Sequence, residues 1–439
     1  MRITMVCIGS TGDVRPYIVL ARELKARGHD IAICAFASFA DTVQREGLRF
    51  MPINGDVKDF MAKLLNGSSG VQYLKQVKEA MVPYLGSFLT DLENACADAD
   101  AIISTYFGEV VKSIAEVRHV PFIQTHFYPM DKNPETPIAS APGQRAGKAW
   151  NLASYQIGYF AISAVERYYL ADWRQAHGMS PRKLESTPNY ELNGHIIPVL
   201  YAMSPLVMPR PTSWGANIHM TGYWLDNRQS SDYQPEPELA AFLEKGPKPV
   251  YIGFGSMVSG DMDETLSIVL EAVKRSGVRA VLARGWGGGD VSAQGRDDVY
   301  MTGFVPHDWL FQQVCAVVHH GGAGTLAAGL LAGKPTLVIP FGGDQPFWAN
   351  RAREMGVGPN PIPREKLTVA RLTKALMKLT TTKKYSVAAR EIGLRLRMEN
   401  GAHIAADIIE HELRKWLREE GREPVLVRPD DNPQRKETL

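Results

Sequence analysis

Apolar residues along this chain fall into short, nearly unbroken runs separated by amphipathic stretches. "RITMVCI" (2–8) passes through "GSTGD" into an amphipathic stretch, "PYIVLARELKARG" (16–28). "DIAICAF" (30–36), a helical stretch at 38–47 and "RFMPI" (49–53) follow, then "DAIIST" (100–105), another helix and "PFIQTHF" (121–127). Strands that are apolar throughout, each followed by a helix, indicate a parallel sheet covered on both faces.

The rhythm breaks at about 128. "YPMDKNPETPIASAPGQRAG" reads as a Pro/Gly-rich loop, and loops that long inside a domain usually serve function. "WNLASYQIGYFAISAVERYYLADWRQ" behind it reads as a long aromatic helix, and "PVLYAMSPLV" (198–207) and "IHMTGYW" (218–224) as closing strands. "DNRQSSDYQPEPE" (226–238) has almost nothing to bury and reads as linker. Strand-like runs then restart at 249–257, 279–286, 299–305, 315–322 and 336–343, with helices to about 420. The expected organisation is a first domain at 1–225, a linker at 226–248, a second domain at 249–420 and a charged, loose tail at 421–439. Both domains read as doubly wound α/β units facing each other across a cleft, and the last helix is free to pack back on the first.

Length agrees, because 439 residues exceed what one core comfortably serves. The 49 basic and 47 acidic side chains nearly cancel, so no basic field is available to attract nucleic acid. Cys7, Cys34, Cys96 and Cys315 are scattered without a CxxC pair, which points to free thiols in a reducing compartment. "MRITMVCIGSTGD" reads as a first strand and not as a signal peptide. No run offers the ~18 apolar residues of a membrane span. The expectation is a cytoplasmic protein, with a peripheral membrane contact left open.

Candidate chemistry gathers where strands end, since doubly wound sheets bind ligands at the carboxyl ends of their strands. "HHGGAGT" (319–325) ends one apolar run and opens a helix near Gly324. Its glycines let a ligand approach the backbone, and the first helical N–H groups attract negative charge. His320 and Thr325 add side-chain donors, so the turn suits a diphosphate; read blandly, it is a tight turn with Thr325 as cap. His319 faces the other side of the strand and reads as packed. "PFGGDQPFW" ends the next strand, placing Asp344 and Gln345 at the same edge, where a carboxylate and an amide suit several hydroxyls at once. Asp344 would equally cap a helix starting at Pro346. Diphosphate plus sugar implies a nucleotide sugar.

Residues 302–345 resemble the donor-binding signature of the nucleotide-sugar glycosyltransferases with two Rossmann-like domains, the GT-B fold. "GSTGDVRPYIVLA", "GFGSM", "GFVPHDWLF" and "HHGGAGT…PFGGDQPFW" together look like the sterol 3-β-glucosyltransferases and their relatives that glycosylate antibiotic aglycones. The likeness runs over most of residues 1–415. It implies that Gly255 and Ser256 approach the phosphates, that Trp286 and Val305 flank the base, and that His307 shapes that turn. His320, Gly322, Gly324 and Thr325 would hold the diphosphate, with Asn350 nearby, and Asp344 and Gln345 would bind the sugar. The implied donor is a UDP-sugar, UDP-glucose before others, with TDP not separated from UDP.

Across the cleft, the first strand ends in "GSTGD". Relatives place histidine or, in the sterol and antibiotic branches, aspartate where this chain has Asp13, so the resemblance makes Asp13 the base; a helix cap is the plainer reading. A carboxylate at a helix N-terminus has its charged form favoured, which predicts a weak base. Gly12, His126, Met130, Tyr155 and Tyr159 are the candidate acceptor contacts, beside the aromatic helix that also carries Phe160, Tyr168 and Tyr169. Metal is not expected: "DMD" (261–263) reads as helix capping and "DAD" (98–100) precedes a strand. "GSTGD" does not satisfy GxGxxG, which disfavours NAD. The expected activity is an inverting, metal-free transfer of a hexose to a hydroxyl of a hydrophobic acceptor: sterol, lipid, polycyclic or phenolic. A UDP-sugar epimerase of the same architecture and a non-catalytic partner protein are the alternatives.

Overall fold

The computed structural model describes residues 1–55, 85–105, 108–141, 143, 146–226, 233–255, 262–284 and 296–422. Its first sheet begins with β1 (Arg2–Val6), β2 (Asp30–Phe36), β3 (Arg49–Ile53), β4 (Ala101–Ser104) and β5 (Phe122–His126). A small antiparallel ribbon, β6 (Glu191–Leu192) with β7 (His195–Ile196), precedes β8 (Val199–Tyr201) and β9 (Ile218–Met220). The sheet runs β3-β2-β1-β4-β5-β8-β9, every pair parallel. Met5 lies beside Ile33 on one side and Ile103 on the other, all three buried, which is why these strands carry no polar face.

The second sheet holds β10 (Val250–Gly253), β11 (Ala280–Ala283), β12 (Val299–Thr302), β13 (Ala316–His319) and β14 (Thr336–Val338), in the parallel order β12-β11-β10-β13-β14. In both sheets the strand order reverses at the first strand, between β1 and β4 and between β10 and β13. Such a reversal opens a crevice beyond the strands' carboxyl ends. The loops after β1, β10 and β13 therefore meet the two crevices.

Six helices matter for the site: α1 (Thr11–Ala26), α2 (Lys148–Ala176), α3 (His307–Gln313), α4 (Ala323–Leu331), α5 (Gln345–Glu354) and α6 (Gly401–Glu419). α6 crosses back to the first unit. Its Ala402, Ala405, Ala406, Ile409 and Leu413 recur every three or four residues and join the core of β1 and α1. Arg27, the C-cap of α1, reaches Asp407 at 2.6 Å and Glu410 at 3.3 Å, and both ring nitrogens of His195 meet Glu419 and Glu420. A further core joins the two units directly, with Tyr201, Met203 and Val207 packed in one cluster with Leu326, Phe347 and Trp348. Arg351 donates to the Val207 carbonyl at 2.6 and 2.9 Å.

Several boundaries differ from the sequence pattern. The stretch expected as linker contains a helix, Pro237–Glu244, whose Leu239 is buried in the core of the second unit; two apolar positions per turn suffice to dock it. Residues 227–232 and 423–439 lie outside the described residues. The helix expected at 38–47 is a 3₁₀ turn at Ala37–Phe39 followed by Ala40–Gln44. Strand β8 keeps only three of the ten residues in "PVLYAMSPLV", because Ser204 turns the chain by accepting the Leu206 N–H.

Candidate functional site

β13 stops at His319, and Gly321, with φ +102, turns the chain into α4. A Cβ on Gly321 would lie 2.8 Å from Val338 Cγ1 and 3.1 Å from both Cβ and O of Gln345. That absence of a side chain lets the histidine-glycine turn lie directly against the Asp344-Gln345 turn. Gly255 closes in from β10: its missing Cβ would meet His320 Cε1 at 2.8 Å. Three strand ends thus converge on His320.

His319 is fully buried and accepts the Gly321 N–H at Nδ1, 3.0 Å away, so it builds the turn from behind. His320 is partly open, and its Nδ1 is buried without a hydrogen-bond partner among the described residues. Burial, then the neighbouring His307, lowers its pKa to about 4, so it is a neutral imidazole at pH 7. The N-cap of α4 is Gly322, and no side chain caps it. Thr325, considered as a cap from sequence, instead sits in the first helical turn: the helix begins at Ala323, beside Gly324 as expected, and its N-cap is Gly322. A Cβ on Gly324 would meet nothing within 4 Å, so the backbone lies open there. A helix start without a side-chain cap leaves its first N–H groups no side-chain acceptor and favours negative charge nearby.

Asp344 holds the N-cap position of α5, which starts at Gln345 and not at Pro346, yet its side chain caps nothing. Its Oδ2 accepts the Trp348 indole N–H at 2.7 Å. Burial, and more weakly the charge of Asp13, raises the Asp344 pKa to about 6, against the pull of Trp348. Gln345 is buried, and its amide oxygen takes the N–H groups of Phe341 (2.7 Å) and Gly342 (3.3 Å). That oxygen shapes the turn. Asn350 bonds Glu354 at 3.0 Å and Arg353 at 2.8 Å within its own helix. Reaching a diphosphate would mean releasing these bonds. Val305 is buried within the β12–α3 loop, and His307 opens α3, stacked on Phe311 with Nε2 3.2 Å from the Tyr251 hydroxyl. Ser256 and Trp286 lie outside the described residues.

On the opposite lobe, Ser10 caps α1 and Asp13 is the third helical residue, forming a capping box. Asp13 Oδ2 accepts from Ser10 N (2.7 Å) and Ser10 Oγ (3.1 Å). Gly9, at φ +146, is required here, because a Cβ would stand 2.3 Å from that same Oδ2. Gly12 donates to Ser10 Oγ and is exposed. Both readings of Asp13 coexist so far: it caps, and it faces the cleft. The expected low pKa is overturned. Asp13 keeps some surface in solvent but is closely surrounded by protein, and lost hydration raises its pKa to about 6 despite the Ser10 bonds. The charge of Asp13, on the other lobe, is near enough to raise the pKa of Asp344.

His126 ends β5, buried, within 3.0 Å of Gln124 and packed on Tyr201; burial lowers its pKa to about 3. It is neutral and takes no part as an acid near pH 7. α2 anchors the following loop. Tyr155, wholly buried, accepts from Asn133 at 2.8 Å and donates to the Pro137 carbonyl, while the Tyr159 hydroxyl donates to the Met130 carbonyl at 3.1 Å. These two tyrosines hold the Met130 segment from behind. Phe160 and Tyr168 point outward on α2, whereas Tyr169 is buried in the first core.

Sequence reasoning missed Asp131. It is 2% exposed, accepts the Tyr201 hydroxyl at 2.6 Å on Oδ2, and leaves Oδ1 buried without a partner among the described residues. Burial raises its pKa to about 7. A folded-state pKa above the unfolded one favours folding at low pH, and that contribution is lost as pH rises through about 7. Asp131→Asn is therefore expected to raise Tm at pH 8 by about 2–4 °C, and by less than half as much at pH 5, where the unfolded carboxyl is already ionised, read by scanning calorimetry at both pH values. An unshifted Tm at pH 8 refutes the buried charge.

The acidic motifs divide. Asp98 pairs with Arg49 at 3.1 Å and Asp100 with Arg2 at 3.0 Å, at the amino edge of the sheet, away from the crevice. Asp263 stands in the first turn of the helix Met262–Ser276, and Asp261 lies outside the described residues. Among the described residues no group of three or more His, Cys, Asp or Glu could hold a metal, and no helix is long and apolar enough to cross a membrane.

Residues 3–131 match the glycosyltransferase family 28 N-terminal domain, and residues 286–410 the erythromycin biosynthesis protein CIII-like C-terminal domain. A sterol 3-beta-glucosyltransferase of Arabidopsis thaliana is 33% identical over 464 residues, covering 100% of this chain and 71% of its own length. That of Aspergillus clavatus is 34% identical over 426 residues, covering 94% of this chain. The chain spans only 30% of the length of that fungal relative. Among solved structures, the glycosyltransferase of kitacinnamycin superposes with TM-score 0.69 at 20% identity, covering 94% of this chain and 98% of its own. The calicheamicin glycosyltransferase CalG4 gives 0.67 at 18%, covering 95% and 98%. At these identities the structures speak for the fold alone.

Proposed function

The chain belongs to the GT-B glycosyltransferases that include the sterol 3-beta-glucosyltransferases, and on that premise we propose that it transfers a hexose from a UDP-sugar to a hydroxyl of a hydrophobic acceptor. Glucose is the proposed sugar and a sterol the first acceptor to test, after the names of the relatives. The observation that carries the reading is the contact made through Gly321, which sets an anion-binding helix start against the Asp344 turn, with Asp13 across the cleft.

In the proposed reaction the diphosphate lies on the N–H groups opening α4, with the His320 imidazole N–H and Thr325 beside it. Asp344 orients the sugar through its hydroxyls. The acceptor oxygen attacks C1 from the first lobe as its proton passes to Asp13. The C1–oxygen bond to the diphosphate breaks with its electron pair on the departing UDP. Attack from the lobe opposite the leaving group inverts the anomeric centre. Positive potential at the helix start and a neutral donor imidazole supply the leaving-group stabilisation without a cation. Closure of the cleft would exclude water, the competing acceptor.

The test is mass spectrometry of a mixed sterol, phenol and macrolide panel incubated with UDP-glucose or TDP-glucose, with a chelator present. One added hexose on a panel member, from the UDP donor and insensitive to chelation, is expected. UDP-sugar turnover without any acceptor would replace this reading with an epimerase. UDP binding with no turnover at all would replace it with a non-catalytic partner.

A further inference from the structure

Two residues beyond Asp13, Arg15 leaves the first lobe. It is exposed, and its guanidinium carbon lies 5.2 Å from the centroid of the Phe304 ring on the other lobe. Phe304 is 75% exposed, an unusual setting for a ring of that size. Its loop is short, between the end of β12 and α3 at His307, with Val305 buried in it. Among the described residues no carboxylate lies within ion-pair distance of Arg15: its neighbours across the cleft are Phe304 and the neutral His307 ring, whose proton affinity burial and then Arg15 lower. A planar, weakly hydrated guanidinium suits stacking on a ring face where an ammonium would keep its water.

The geometry has a consequence for the reaction. Asp13 and Arg15 share the first turns of α1, so whatever fixes Arg15 against the second lobe also fixes how far Asp13 stands from the Asp344 turn. Resting on the transferase reading above, we propose that Arg15 is a positioning residue, clasping Phe304 so that the lobe bearing the base meets the donor lobe at reacting distance. The clasp acts through Asp13 and touches no reacting atom.

The test is a double-mutant cycle with conservative controls. Arg15→Gln and Phe304→Leu are each expected to lower kcat about three- to fivefold, with the UDP dissociation constant unchanged. The double variant is expected to be no worse than either single one. Phe304→Tyr, which keeps the ring, is expected to retain most of the rate, whereas Arg15→Lys, whose ammonium keeps its water, is expected to retain only part of it. Losses that multiply in the double variant, or singles that match the parent, overturn the proposal.

A second readout needs no turnover. Spin labels on Gln44→Cys and Lys374→Cys, exposed on opposite lobes, report the lobe-to-lobe distance. Arg15→Gln and Phe304→Leu are expected to broaden that distribution relative to the parent. An unchanged distribution refutes the clasp, whereas broadening in a protein that transfers no sugar refutes only the transferase reading.

Discussion

Replacing Asp13 by Asn is expected to lower kcat by about two to four orders of magnitude, while UDP binds as in the parent. Asn keeps an oxygen for the Ser10 N–H and Oγ–H, so the start of α1 survives. What it loses is the capacity to take a proton. Because burial brings the Asp13 pKa to about 6, the carboxylate is mostly ionised at pH 7 and still basic enough to help. The sign follows directly. Only the deprotonated form accepts the acceptor's proton, so kcat should fall about tenfold per pH unit below pH 6 and level off above it. Steady-state rates from pH 4.5 to 8.5, with calorimetric UDP titration of both proteins, settle the matter. Equal rates for variant and parent would remove Asp13 from the reaction.

His320→Ala is expected to weaken UDP binding by about 10- to 100-fold, the worth of a hydrogen bond to a charged group. Its imidazole is neutral, with a pKa near 4, so the loss should be constant between pH 6 and 8. A binding profile that titrates near 6.5 in the parent and flattens in the variant would show a charged imidazole instead. His320→Gln restores an N–H donor and bulk against Gly255 and Gly322, and is expected to recover part of the affinity. Calorimetry over that pH range distinguishes these outcomes without any acceptor.

How much of this was legible beforehand can be judged residue by residue. The βα alternation is written in unbroken apolar runs, because a strand buried on both faces admits nothing else. Positions of strand ends follow from those runs, and with them the placement of Asp13, His320 and Asp344 at one kind of edge. Helix starts were less legible. Whether Thr325 or Gly322 occupies the cap of α4 depends on one φ, ψ pair, and both residues satisfy the same local pattern. Trp348 lies one helical turn beyond Asp344, a spacing that would have revealed their bond.

Two matters lay beyond any linear reading. The proton affinity of Asp13 was inferred from its helix, which predicts a low pKa, but packing around the cleft removes water and reverses the direction. Asp131 is one polar residue in a polar loop until Tyr201, seventy residues on, covers it. Sequence by itself determined two parallel α/β units and the residue types at their crevices, since these depend on periodicity and on neighbours along the chain. Tertiary structure alone decided how far burial raises the proton affinity of Asp13 and Asp131, and that Arg15 meets Phe304. Hydration and long-range pairing depend on what folds against a group, and those partners, as with Tyr201 over Asp131, lie far along the chain.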